Sequence, residues 1–253
     1  MKREDLTVFL DAALNIAAFA EDVSNNGVQV EGCDEVRKAV FAVDASQALF
    51  DAAVERDADF VFVHHGLSWG PSPRRFTGIT ARRFRTLFAN GITLYAAHLP
   101  LDAAPGFGNN AVLSKLIDLR DLKPFFRYDG ADIGFIGDLP APRKLGDLRK
   151  FFEAHFGISA NCLGNAARKC RKVAVVSGGG GLESLEEAAA RGADLLLTGE
   201  LNHVMYHYAL ENGVAVLALG HYASETTGPR ALMELVAGTF ALETEFVDIP
   251  TGL

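Results

Sequence analysis

The sequence predicts an α/β fold of two pseudo-repeated lobes, each built on a parallel or mixed sheet. Short apolar runs of strand length alternate with stretches of helical period, and their near-continuous apolar character suits sheets covered on both faces. The order strand, helix, strand in Arg37 to Val63 is replayed in Lys172 to Leu197. Arg56-Asp57-Ala58-Asp59 in the first pass and Arg191-Gly192-Ala193-Asp194 in the second stand at the same point of the pattern. A repeat of this kind is the mark of a duplicated supersecondary unit.

The elements follow from the N-terminus. Residues 4–20 place Leu6, Phe9, Leu10, Ala13, Leu14 and Ala17 on one helical face. Ser24 to Gly27 read as a turn and Val28-Gln29-Val30 as a short strand. Ala39 to Val43 form a buried strand, after which Asp44 and Ser46 are placed to cap a helix running to about residue 57. Phe60-Val61-Phe62-Val63 is the next strand and runs straight into His64-His65-Gly66. Gly66 to Gly78, with the only tryptophan (Trp69), is a loop, read either as a substrate flap or as a plain connection. A helix at 79–90 leads to the strand Ile92 to Ala97, which ends in His98-Leu99-Pro100-Leu101-Asp102. A helix over 110–118 follows. Residues 124–170 read as a smaller accessory segment holding a strand at 133–137 and a helix at 144–156. The expected boundaries are therefore 1–123, 124–170 and 171–253, the last completing a site shared with the first.

Composition narrows the function classes. The chain has 253 residues, 24 basic against 32 acidic, a net charge of −8. No Lys/Arg run offers the basic face a nucleic-acid binder needs, so that class is disfavoured. Three cysteines, Cys33, Cys162 and Cys170, lack CxxC spacing and fit a reducing cytosol without a thiolate zinc site. Charges interrupt the N-terminal segment, and no apolar run reaches the roughly 18 residues that span a bilayer. A soluble cytoplasmic protein, with no membrane partner, is expected.

Chemistry concentrates at strand ends, where open α/β sheets place their sites. Both halves carry a histidine and a carboxylate four residues later past a buried strand: His98-x-x-x-Asp102 and His221-x-x-x-Glu225. Imidazoles and carboxylates without thiolates suit Zn, Mn, Fe, Ni or Co. On an ideal strand His64 and His65 point to opposite faces, so they share one ion only where the strand has ended. His98 reads as ligand, orienting donor or general base, and Glu200 as ligand-orienting, substrate-binding or helix-capping. His203 and His207 have helical i, i+4 spacing but lack a zinc-protease context. Gly178 to Gly181 admits a phosphate or simply makes a tight turn, the turn being favoured.

Six stretches together resemble the Nif-three-like (Ngg-one-interacting factor three) family, often labelled GTP cyclohydrolase I type 2 homologues. They are Asn26-Gly27-Val28-Gln29-Val30-Glu31-Gly32, His64-His65-Gly66-Leu67-Ser68-Trp69-Gly70, His98-Leu99-Pro100-Leu101-Asp102, Ser177-Gly178-Gly179-Gly180, Thr198-Gly199-Glu200 and Gly220-His221-Tyr222-Ala223-Ser224-Glu225. The resemblance implies a dinuclear centre of two divalent ions held by His64, His65, Asp102, His221 and Glu225, with Glu225 as the bridge. It implies His98 and Glu200 as catalytic or orienting groups, and self-association into a toroidal homohexamer. The function it implies is a dinuclear metal-dependent hydrolase of a small cyclic amide, nucleotide-like or phosphoester substrate. The alternative is a metal-binding assembly or regulatory protein without turnover.

Overall fold

The structure, a computed structural model, describes residues 1–253. The chain opens with α1 (Arg3–Ala13) and a single 3-10 turn (Ile16–Phe19). The helix expected over 4–20 breaks because Asn15 takes the left-handed conformation, φ 49°. There follow β1 (Gly27–Val30), β2 (Lys38–Asp44), α2 (Gln47–Glu55), β3 (Phe60–His65), α3 (Gly78–Ala89), β4 (Thr93–Ala96) and α4 (Leu99–Ala103). Next come α5 (Asn109–Leu116), β5 (Arg120–Tyr128), β6 (Ala131–Lys144), α6 (Leu145–Phe156), β7 (Asn161–Leu163), β8 (Lys169–Val176) and α7 (Gly181–Ala190). The chain closes with β9 (Leu195–Thr198), α8 (Met205–Asn212), β10 (Ala215–Ala218), α9 (His221–Glu225), α10 (Thr227–Thr239) and β11 (Glu243–Phe246). No helix is long and apolar enough to cross a membrane.

Two compact units result: Met1–Ala104 with Gly228–Ile249, and Pro105–Thr227 with Pro250–Leu253. This division differs from the boundaries 1–123, 124–170 and 171–253 for two reasons. Residues 124–170 supply β6 and β7 to the second unit's own sheet, so they are no separate segment. At the other end, β11 pairs in parallel with β2, which carries the C-terminal stretch back into the first unit.

The first unit's sheet has the order β1-β4-β3-β2-β11, parallel except for β1. Val40, Ala42, Val61, Val63 and Leu94 pack on Leu49, Phe50 and Ala53 of α2, whose first turn is capped by Ser46 Oγ accepting from Leu49 N at 3.1 Å. Phe41, Phe62 and Tyr95 stack side by side, with centroids 5.5 and 5.8 Å apart, and the Tyr95 hydroxyl donates to Asp11 of α1 at 2.6 Å. The second unit's sheet has the order β5-β6-β8-β9-β10-β7, in which the β8-β9 and β9-β10 pairs are parallel and the others antiparallel.

The repeat read from sequence is present in the strands. β1-β4-β3-β2 and β7-β10-β9-β8 have the same order and the same directions, three parallel strands with an antiparallel one at the equivalent edge. The Arg-x-Ala-Asp elements now have a shared physical role. Asp59 Oδ2 accepts from Arg37 N and Lys38 N at 2.8 and 3.3 Å, and Asp194 Oδ2 from Arg171 N and Lys172 N at 2.8 and 3.0 Å. Each aspartate satisfies backbone donors just before the first rung of the neighbouring parallel ladder and so pins its register.

Candidate metal centre

In the first unit the site grows from the end of β3. On the β2 side the ladder runs to Asp44 opposite His65, but on the β4 side it stops at Val63 opposite Ala96. His64 is therefore released from the pleat on one flank. Its Nδ1 bonds the carbonyl of Ala97 at 2.9 Å. The two rings lie with centroids 4.5 Å apart instead of on opposite faces. His65 Nδ1 bonds Asp44 Oδ1 at 2.7 Å. The cap assigned to Asp44 thus belongs to Ser46 alone, and Asp44 orients an imidazole.

His98 follows β4 and precedes α4. Its Nδ1 bonds Asp22 Oδ1 at 2.9 Å, and its backbone N–H donates to Asn26 Oδ1 at 2.8 Å. The Asp22 side chain is wholly buried and also accepts from Leu99 N, Ser24 N and Asn26 Nδ2. Burial pushes the Asp22 carboxyl up, but the bonds from His98, Asn26 and Ser24 outweigh it and hold the group below the usual carboxylate range. Asp102, buried on α4, has Oδ2 3.6 Å from His64 Nε2. One ring nitrogen each of His64, His65 and His98 lies within 4.8 Å of the others.

The loop after β3 is braced by Gln29 of β1. Gln29 Oε1 accepts from Leu67 N and Ser68 N at 2.7 and 2.9 Å, and a Cβ on Gly66 would collide with that amide. The brace brings the Trp69 ring edge-on to His98, with centroids 5.0 Å apart, and to 6.2 Å from His65.

In the second unit α9 begins at His221 and carries Glu225 one turn later. His221 Nδ1 bonds Glu200 Oε1 at 2.6 Å, and its Nε2 lies 3.2 Å from Glu225 Oε1. The hydrogen bond to Glu225, against partial burial and with help from Glu200, pushes the His221 pKa up to about 9. Glu200 is held by its own N–H donating to Gly178 O at 3.0 Å. It lies five residues before α8, so it orients an imidazole and does not cap that helix. Gly178, at φ +60°, passes so close that a Cβ there would strike the Glu225 carboxylate and the His221 ring. The glycine run is thus a tight turn that clears room for these two side chains. Ser224 ties it down, its Oγ accepting from Gly178 N and donating to His221 O.

One rule covers all four site imidazoles. Every Nδ1 is committed to an oxygen, of Ala97, Asp44, Asp22 or Glu200, which leaves Nε2 as the atom each ring can offer to a metal or a proton. Ring orientation fixed by an outer oxygen is how metal-binding histidines are built, and the donor set of imidazole and carboxylate fits a divalent transition ion. Of the orienting groups, Asp22 has no signal in the sequence reading and Asp44 figures there only as a helix cap. Asn26, Gln29 and Ser224 lie within family motifs, with no role attached. His203 and His207 belong to none of these groups and line a separate groove.

A model of the family Duf34/NIF3 (NGG1p interacting factor 3) matches residues 1–251. The chain is 42% identical over 254 residues to a protein of Pyrococcus abyssi named GTP cyclohydrolase 1 type 2 homolog, covering 100% of both chains. An Archaeoglobus fulgidus protein of the same name is 43% identical over 253 residues, again covering 100% of both. Among solved structures, a Thermus thermophilus protein superposes with a TM-score of 0.90 at 40% identity, covering 100% of both chains.

Proposed function

We propose a metal-dependent hydrolase from one premise: the chain belongs to the Duf34/NIF3 family. In this reading the ligands for two divalent ions are His64, His65 and Asp102 in the first unit and His221 and Glu225 in the second. The observation that carries it is the uniform commitment of Nδ1 at His64, His65, His98 and His221, which spends outer oxygens on aiming Nε2. A structural histidine needs no such aim.

Divalent ions at these ligands would polarise a carbonyl or phosphoryl oxygen and lower the pKa of water. The remaining work falls to the chain. His98, with Nδ1 fixed by Asp22, presents Nε2 as the group that takes up or delivers a proton. Glu200 holds the His221 ring in place. Trp69 shields one flank of His98 from water. The substrate class is a small cyclic amide, nucleotide-like or phosphoester molecule, and the relatives' name, GTP cyclohydrolase 1 type 2 homolog, supports a ring in a nucleotide-like substrate. Self-association into a ring of six chains belongs to the same proposal.

The test is metal analysis of protein purified without chelator, followed by a screen of phosphoester and cyclic amide substrates. His65→Ala and Glu225→Ala are expected to lose metal and turnover together. Full turnover by metal-free protein would exclude the reading. Metal retained with no turnover, and an oligomeric state that changes on chelation, would favour a metal-dependent assembly protein instead.

A further inference from the structure

The loop leaving β9 runs through Glu200-Leu201-Asn202-His203 into α8. With Tyr206, His207 and Leu163 of β7 it walls an open groove of about 450 Å³. That volume falls within the range of roughly 300–1,000 Å³ of small-ligand pockets. Leu163 and Leu201 give apolar contact, and Tyr206 is 45% exposed. Asn202, His203 and His207 add hydrogen-bonding edges that carry both donors and acceptors. Tyr206 and His207 meet edge to face, with centroids 5.1 Å apart and planes at 89°.

The lining contains no lysine, arginine, aspartate or glutamate. It offers a phosphate no lysine or arginine and an ammonium group no carboxylate. An exposed aromatic residue, leucine walls and hydrogen-bonding edges suit a flat ring with nitrogen and oxygen atoms on its rim. The groove also has an address. Leu201 on its wall directly follows Glu200, whose carboxylate bonds the His221 imidazole at 2.6 Å.

We propose that this groove binds a nucleobase ring, held by stacking on Tyr206 and by edge hydrogen bonds from Asn202 and the two histidines. The inference rests on the hydrolase reading for what the base is attached to, and deepens it by naming the part of the substrate recognised on this unit.

The test uses the 253-residue chain with divalent metal offered in the buffer and its uptake measured, guanosine and uridine as probes in equilibrium dialysis, and ribose 5-phosphate as competitor. At least one nucleoside is expected to bind, and ribose 5-phosphate is expected not to displace it. Tyr206→Ala and Asn202→Ala should each weaken binding by roughly tenfold, while Tyr206→Phe, which keeps the ring, binds as the parent does. Metal content should be the same in all three variants. Retention of neither nucleoside up to its solubility limit overturns the proposal, as does retention unchanged in both alanine variants. Metal content and turnover are read separately, so a groove that binds no base in a metal-loaded, active protein defeats this inference alone. A base-binding groove in a protein that takes up no metal defeats the hydrolase reading and leaves the groove standing.

Discussion

Asp22→Ala is the sharpest single perturbation of the first unit. The carboxylate is wholly buried and takes four hydrogen bonds: from His98 Nδ1 at 2.9 Å, Leu99 N at 3.1 Å, Ser24 N at 3.0 Å and Asn26 Nδ2 at 2.8 Å. A bond to a charged acceptor contributes about 1.5–3 kcal/mol, and a buried donor left alone costs about 1–3 kcal/mol. Water entering the space recovers part of this, so the net loss is set at about 3–5 kcal/mol, as for a broken buried ion pair. Asp22→Asn keeps the shape but turns one acceptor into a donor, and should lose about half as much. The assay is urea denaturation of metal-free protein, reading a fall in midpoint at unchanged slope. The sign of the pH dependence follows from a lowered carboxylate. Its contribution is full above the unfolded pKa of about 3.9 and is lost as pH falls through the lower folded value. The gap between parent and Asp22→Ala must therefore narrow below about pH 4. A loss under about 1 kcal/mol at neutral pH would refute the reasoning, since it would mean the four donors find equal partners without the carboxylate.

Three further outcomes are expected. Gly178→Ala places a Cβ against Glu225 and His221 and puts a non-glycine residue at φ +60°, a backbone cost of about 1–2 kcal/mol; metal stoichiometry should fall with it, and a variant holding metal normally would contradict the close approach. His221, raised to about 9 by Glu225 and Glu200, stabilises the metal-free protein fully below about pH 6.5, and that contribution is lost as pH rises through about 9. Metal binding should accordingly release a proton between these values and tighten with rising pH, which calorimetry in buffers of different ionisation enthalpy would register. Asp59→Ala and Asp194→Ala should each cost about 1–3 kcal/mol in thermal or urea unfolding, because each carboxylate serves two backbone donors just before a parallel ladder; a negligible cost at both would remove the register role assigned to them.

What could be read from the sequence was local. The apolar runs at Phe60 to Val63 and Leu195 to Leu197 announce buried strands by themselves, and the fixed spacing of His98 to Asp102 and His221 to Glu225 needs only one helical turn to be meaningful. The partners that aim the imidazoles were not local. Asp22 reaches His98 across 76 residues, and Asp44 reaches His65 across a strand pair 21 residues apart. Nothing in their neighbourhoods distinguishes them from surface or capping aspartates, and Asp44 was in fact placed as a cap beside Ser46. The division into units is not local either, because the pairing of β11 with β2 joins residues some two hundred positions apart. The break at Asn15 was missed because helical periodicity reports which face is apolar, while a single left-handed residue decides where the helix stops.

The duplicated strands also explain why the two units contribute different chemistry from equivalent places. β3 and β9 hold the same position between parallel neighbours, and each is preceded by an aspartate that fixes its register. At its end β3 offers the imidazoles of His64 and His65; just past the end of β9 the chain offers Gly199 and Glu200. A glycine there admits Gly178 to van der Waals contact, which delivers Glu200 to His221 and clears room for Glu225. One strand end therefore presents ring nitrogens, and its counterpart orients a ring carried by a different element, while the strands behind both ends keep the same order and directions.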